Sequence, residues 1–170
     1  MNTIQEIISE FKDKVFSTSL SMVKDYQDAE DISQEVFMDI YQNLNKFRGD
    51  SSLSTWIYKL TINKCLQHIR SKNTLKRKSE TVSIKEQILE VPSFDHPGVT
   101  LENKELANIL MKAIDLLPEQ QRVAFTLHKI ERMSHEEIGA ILDKSKSSVE
   151  SLIHRAKQNL RTNLKAYYEG

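Results

Sequence analysis

Apolar residues recur at helical spacing along almost the whole chain, and this pattern leaves little choice of fold. Ile4, Ile7, Ile8, Phe11, Val15 and Leu20 trace one stripe. Ala29, Ile32, Val36, Ile40 and Leu44 trace a second, and Tyr58, Ile62, Cys65 and Ile69 a third. Further on come Leu106, Leu110, Ala113, Ile114 and Leu117, then Val123, Ala124, Leu127 and Ile130. The last two stripes are Ile138, Ile141 and Leu142, then Val149, Leu152, Ile153, Ala156, Leu160 and Leu164. Each repeats at three- and four-residue intervals, the period of a helix with one buried face. Only 4 Gly and 3 Pro interrupt the 170 residues. That is too few to punctuate the turns of a sandwich or barrel, so an all-α fold is expected.

The pattern lapses once, over residues 79–100, which contain Pro92, Pro97 and Gly98. A proline biases the residue before it away from the helix, and loops of this length are uncommon inside one compact domain. Two small helical domains are therefore expected, over 1–78 and 101–170, joined by a linker with a short helical turn near Ile84–Leu89. Local signals set the expected boundaries. Asp28 is read as the cap of the second helix, and Pro118 as the first residue of a new one. Ser134-His135-Glu136-Glu137 has the S-x-x-E form of a capping box. Asp143-Lys144-Ser145 makes a three-residue turn, with Ser145 as the next cap. Gly139 is read as a point of close approach. A short helix, a three-residue turn and a longer helix make a helix-turn-helix, whose second helix enters the major groove.

Charge is balanced in total, with 24 Lys+Arg against 24 Asp+Glu, but not in position. Residues 25–45 hold six acids and no Lys or Arg, and residues 51–79 hold seven bases and no acid. Residues 144–165 hold six bases and one acid, Glu150. Such blocks are either solvated helix faces or separate surfaces for separate partners. Asp28, Asp31, Glu35 and Asp39 are expected to form one continuous exposed face. In the third helix, Trp56, Lys59, Asn63 and Gln67 lie opposite the apolar stripe. A tryptophan on a basic face either closes the edge of the core or offers an unpaired base a stacking platform. The loop before it, Phe47-Arg48-Gly49-Asp50-Ser51-Ser52, is small and polar enough to wrap such a base. The outward positions of the last helix are Lys146, Ser147, Glu150, Ser151, His154 and Arg155, followed by the cations Lys157, Arg161 and Lys165 suited to phosphates.

Several classes are disfavoured. There is no G-x-G-x-x-G or Walker loop, and Cys65 alone supports neither a disulfide framework nor a cysteine-rich zinc site. His68, His96, His128, His135 and His154 form no ligand spacing, and no Ser, His and carboxylate arrangement stands out. No enzyme activity, metal or cofactor is expected. The opening residues MNTIQEIISEFKDK carry acids and no apolar block, and no apolar run approaches the roughly 18 residues of a span. A cytoplasmic protein without membrane insertion is expected.

The run DAEDISQEVFMDIYQNLNKFRGDSSLSTWIYKLTINKCLQHIR (28–70) resembles the core helical domain of bacterial extracytoplasmic-function sigma factors. The run LPEQQRVAFTLHKIERMSHEEIGAILDKSKSSVESLIHRAKQNLR (117–161) resembles their promoter-binding domain, in the same order. The resemblance implies a subunit that binds core RNA polymerase, melts the −10 element with its first domain and reads the −35 duplex with its second. It implies polymerase contacts at Asp28, Asp31, Gln34 and Glu35. For the −10 strand it implies Phe47, Asp50, Ser51, Leu53, Trp56 and Asn63, to which Lys59, Lys64 and Gln67 on the same helix are added. For the −35 duplex the expected residues are Arg122, Lys146, Ser147, Ser148, Glu150, Ser151, His154 and Arg155. Core polymerase, promoter DNA and an anti-sigma factor are the expected partners, and no C-terminal sensing domain is expected. Glu150 stands where the family often carries a base, and Ser147-Ser148 replaces a frequent small-residue pair. Both bear on the −35 sequence read, not on the fold. Glu150 is either a helix-dipole and Lys146 partner or a direct reader of a cytosine amino group. Two other classes compete: a helix-turn-helix regulator acting on duplex DNA without polymerase, and a helical adaptor that touches no nucleic acid.

Overall fold

The computed structural model describes residues 3–80 and 101–169. Among them are seven α-helices and no strand. They fall into two compact units, one built on the first three helices together with Ala140–Asp143, the other on the rest of the last four helices. The linker core, with Pro92, Pro97, Gly98, His96 and the expected turn at Ile84–Leu89, lies outside the described residues.

In the first unit, α1 (Ile4–Val23) opens on a capping box: the Glu6 amide donates to Thr3 Oγ1 (3.3 Å) and the Thr3 amide to Glu6 Oε2 (2.8 Å). Lys24, at φ 59°, ends it in the left-handed region, its amide donating to the Leu20 carbonyl at 2.8 Å. The neighbouring Asp25 caps α2 (Tyr26–Asn43) by accepting from the Asp28 amide at 2.8 Å. The cap is therefore Asp25, three residues before Asp28, because the Asp25 carboxylate meets the orphan amides first. A 3₁₀ turn (Leu44–Lys46) and the Phe47–Ser52 loop lead into α3 (Leu53–Glu80), whose start is held by Ser52 Oγ accepting from the Thr55 amide at 3.1 Å. α3 runs two residues past the expected domain end at 78.

The three helices pack on one another around Ile7, Phe11, Val15, Ala29, Ile32, Val36, Ile40, Ile57, Ile62 and Cys65. Burial pushes the Cys65 thiol up to about 12, so it stays an unreactive core thiol. The α3 stripe is rotated from the expected one: Ile57, Thr61 and Leu66 are buried, while Tyr58 and Ile69 are only half-buried. From Arg70 to Ser79 every residue of α3 is exposed, so the basic end of the helix projects beyond the bundle.

The second unit holds α4 (Leu101–Asp115), α5 (Glu119–Lys129), α6 (His135–Leu142) and α7 (Lys146–Tyr168). Pro118 is the N-cap of α5 rather than its first residue. α7 packs on α4 and α5. Ala113, Ile114, Leu117, Ala156 and Leu160 form one buried cluster. Leu106 and Leu110, expected in the core, are exposed, as is Ile130.

Candidate polymerase and promoter interfaces

The helix-turn-helix is assembled by local chemistry. The Glu137 amide donates to Ser134 Oγ (3.2 Å) and the Ser134 amide to Glu137 Oε2 (2.8 Å), closing the capping box on α6. The turn into α7 depends on Gly139. A Cβ there would sit 2.6 Å from the Lys144 carbonyl oxygen, and the Lys144 amide donates to the Gly139 carbonyl at 2.9 Å. The close approach at Gly139 is therefore to the backbone of the turn, not to a neighbouring helix. Ser145 caps α7, its Oγ accepting from the Ser148 amide at 3.1 Å and donating to Ser148 Oγ at 2.9 Å.

Behind that cap, Lys146, Ser147, Ser148, Glu150, Ser151, His154 and Arg155 are all exposed. The buried side of the helix is Val149, Ile153, Ala156 and Leu160. Three of the outward residues have partners inside the unit. Ser148 is engaged in the cap. Lys146 Nζ lies 2.7 Å from Glu136 Oε1, and this hydrogen bond holds the Glu136 carboxyl below and the Lys146 ammonium above their ordinary values. Glu150 Oε1 lies 3.4 Å from His135 Nδ1. Arg122, on α5, is half-buried, its Nε without a hydrogen-bond partner.

In the first unit the acids of α2 do not form one continuous free face. Asp31, Gln34 and Glu35 are exposed, with Gln27 Nε2 donating to Asp31 Oδ1 at 3.2 Å. Asp28 is turned inward instead, its side chain only 17% exposed, with Lys72 Nζ bonded to it and His68 Nε2 3.0 Å away. Burial pushes its carboxyl up, but the bond from Lys72 and the close approach of His68 outweigh this and hold it below its usual value. Asp39 lies 3.1 Å from Lys64 Nζ, and Glu35 lies 3.4 Å away. The bond to Asp39 raises the Lys64 ammonium above its ordinary value. The Lys64 cation is therefore committed to α2.

Phe47 and Trp56 come together, ring centroids 5.2 Å apart at 35°, both half-buried at the edge of the bundle. Gly49, at φ 74°, lets the loop between them turn. Asp50, Asn63 and Gln67 are exposed, and Ser51, Leu53 and Lys59 half-buried. Helical spacing did not reveal an open apolar groove of about 1000 Å³ between α1 and α2, lined by Ile8, Phe16, Gln34, Phe37, Met38 and Tyr41. Its sequence signal is the cluster Phe37, Met38 and Tyr41, off the buried stripe of α2.

Residues 7–74 match the family model "Sigma-70 region 2", and residues 107–160 match "Sigma-70, region 4". The ECF RNA polymerase sigma-E factor of Escherichia coli K12 is 32% identical over 135 residues, 77% of this chain and 71% of that protein. The chain belongs to the extracytoplasmic-function sigma factors. The RNA polymerase sigma-H factor of Pseudomonas aeruginosa is 28% identical over 156 residues, 89% of this chain and 81% of that protein. Among solved structures, the fold matches the sigma factor RpoE of Bartonella quintana, in complex with the anti-sigma factor NepR. The TM-score is 0.69 at 20% identity, covering 95% of this chain and 96% of that one. CnrH, in complex with the cytosolic domain of CnrY, gives 0.67 at 20% identity, covering 96% and 88%. The function is that of a sigma factor, which directs RNA polymerase to promoters. Among the described residues no helix is long and apolar enough to cross a membrane.

Proposed function

We propose that this sigma factor docks on core polymerase through the exposed Asp31, Gln34 and Glu35 of α2. Asp28 leaves that set because Lys72 and His68 occupy its carboxylate. The −10 strand is taken by Phe47, Asp50, Ser51, Leu53, Trp56, Lys59, Asn63 and Gln67, with the Phe47–Trp56 pair as the stacking surface. Lys64 acts behind them, holding α2 to α3. The −35 duplex is read by the outer face of α7, with Arg122 as a phosphate contact. Residues 1–78 thus serve the polymerase and the −10 element, 101–170 the −35 element, and 79–100 join them. The chain works as a non-catalytic subunit in the cytoplasm.

An anti-sigma factor is the proposed regulator. Two observations support it: the sigma factor RpoE of the same fold was captured with an anti-sigma factor, and the α1–α2 groove leaves Ile8, Met38 and Tyr41 exposed beside Gln34. The observation that carries the whole reading is the match of both halves, in order, to the two sigma regions.

The test is reconstitution with core polymerase and run-off transcription from promoters of genes induced when the protein is overproduced. Promoter-specific transcripts that need both chain and core support the assignment. Tight duplex binding by the chain, with no transcript added by core, refutes it.

A further inference from the structure

Glu150 is the only acid within residues 144–165, on a helix face otherwise built of Lys146, Arg155, three serines and His154. Left alone, its carboxylate would pair with Lys146 one turn back on α7. Two contacts from α6 divide that pair. Glu136 takes Lys146 at 2.7 Å, and His135 Nδ1 meets Glu150 Oε1 at 3.4 Å. A carboxylate only accepts, so His135 Nδ1 carries the proton.

His135 is itself supported. Its ring packs on that of His128, with centroids 4.7 Å apart at 44°. His128 Nδ1 lies 3.0 Å from the Met133 carbonyl, which also only accepts, so that nitrogen is the donor. The support therefore runs from α5 through two imidazoles to the second turn of the recognition helix. The Glu150 side chain stays half exposed, and a carboxylate bonded through one oxygen keeps acceptor capacity on the other.

We propose that His135, seated on His128, is a positioning residue: it holds the Glu150 carboxylate so that its free acceptor reads a donor on a base edge of the −35 duplex. A cytosine amino group is the major-groove donor that suits a carboxylate. Fixing the rotamer beforehand reduces the ordering that binding would otherwise require. The inference rests on the proposed assignment of α7 to the −35 element.

The experiment uses the full chain with core polymerase on a panel of −35 variants, and measures promoter affinity base by base. Wild type should prefer one base at one position by roughly tenfold or more. His135→Ala and Glu150→Ala should flatten the preference at that same position. The double variant should be no flatter than Glu150→Ala alone, since the two residues act in series. His135→Asn, which keeps an N–H near the Nδ1 site, should retain more preference than His135→Ala. If His135→Ala does not fold, His135→Asn against Glu150→Ala carries the comparison. Full preference in His135→Ala, an equal loss on every variant, or additive effects in the double variant would each overturn the positioning role. An intact preference in Glu150→Ala overturns it as well. A wild-type holoenzyme blind to the −35 sequence would instead overturn the assignment of α7.

Discussion

Asp28 and Asp31 stand one turn apart on α2, yet they should behave as different kinds of residue. Asp28→Ala removes a bond from Lys72, a contact with His68, and a favourable negative charge in the first turn of the helix. Lys72 is 59% exposed and is rehydrated when released, which limits the loss. A charge-assisted bond at a half-buried carboxylate together with the dipole contribution comes to about 1–2 kcal/mol. For a domain of 60–100 residues each kcal/mol moves Tm by roughly 4–8 °C, so a fall on the order of 5–15 °C is expected. Asp31→Ala, at an exposed carboxylate, should change stability by less than about 0.5 kcal/mol. The difference should also depend on pH. Because the folded-state Asp28 carboxyl is held below its unfolded value, its contribution is fully present above that unfolded value. It is lost as pH falls through the lower folded value. Thermal melts of wild type, Asp28→Ala and Asp31→Ala, followed by circular dichroism at pH 7 and at acid pH, test this. Equal melting of the two variants at pH 7, or a gap that persists below both carboxyl values, would refute the argument.

Reversing the charge of Asp31 and Glu35 together should weaken core-polymerase binding by several-fold or more, as like charges repel across an interface, with a smaller fall in Tm from Glu35, which lies 3.4 Å from Lys64 Nζ; competition against another sigma factor for core measures the binding. Trp56→Ala should impair opening more than closed-complex binding, because a base stack is worth about 1–3 kcal/mol. Permanganate reactivity of the −10 region reports it, and unfolding of the variant would instead make Trp56 a core residue. Gly139→Ala should destabilise the second unit despite a helix-propensity gain of up to about 1 kcal/mol. Its Cβ meets the Lys144 carbonyl at 2.6 Å, and the turn must open at a cost of about 1–3 kcal/mol. Loss of −35 binding with a lowered Tm is expected, and wild-type melting would show that the turn yields freely.

What the sequence determined by itself lay within one or two helical turns, although the caps of α2 and α5 fell at Asp25 and Pro118 rather than where the residue types alone put them. The helices follow from apolar spacing, the Ser134 box and the Ser145 cap from side chains three residues from the amides they bind, and the helix-turn-helix from the three-residue turn between two stripes. Family membership was legible for the same reason, since both motif runs are continuous in the chain. The tertiary structure alone decided which charges remain available. Asp28 is closed by Lys72, 44 positions away, Asp39 and Glu35 share Lys64, and Glu150 meets His135 across the turn. It also decided that Phe47 backs Trp56 and that the α1–α2 groove stays open. Helical periodicity places a side chain on a face, but whether its charge is free depends on the distance to an opposite charge on another helix. That distance exists only once the helices have packed.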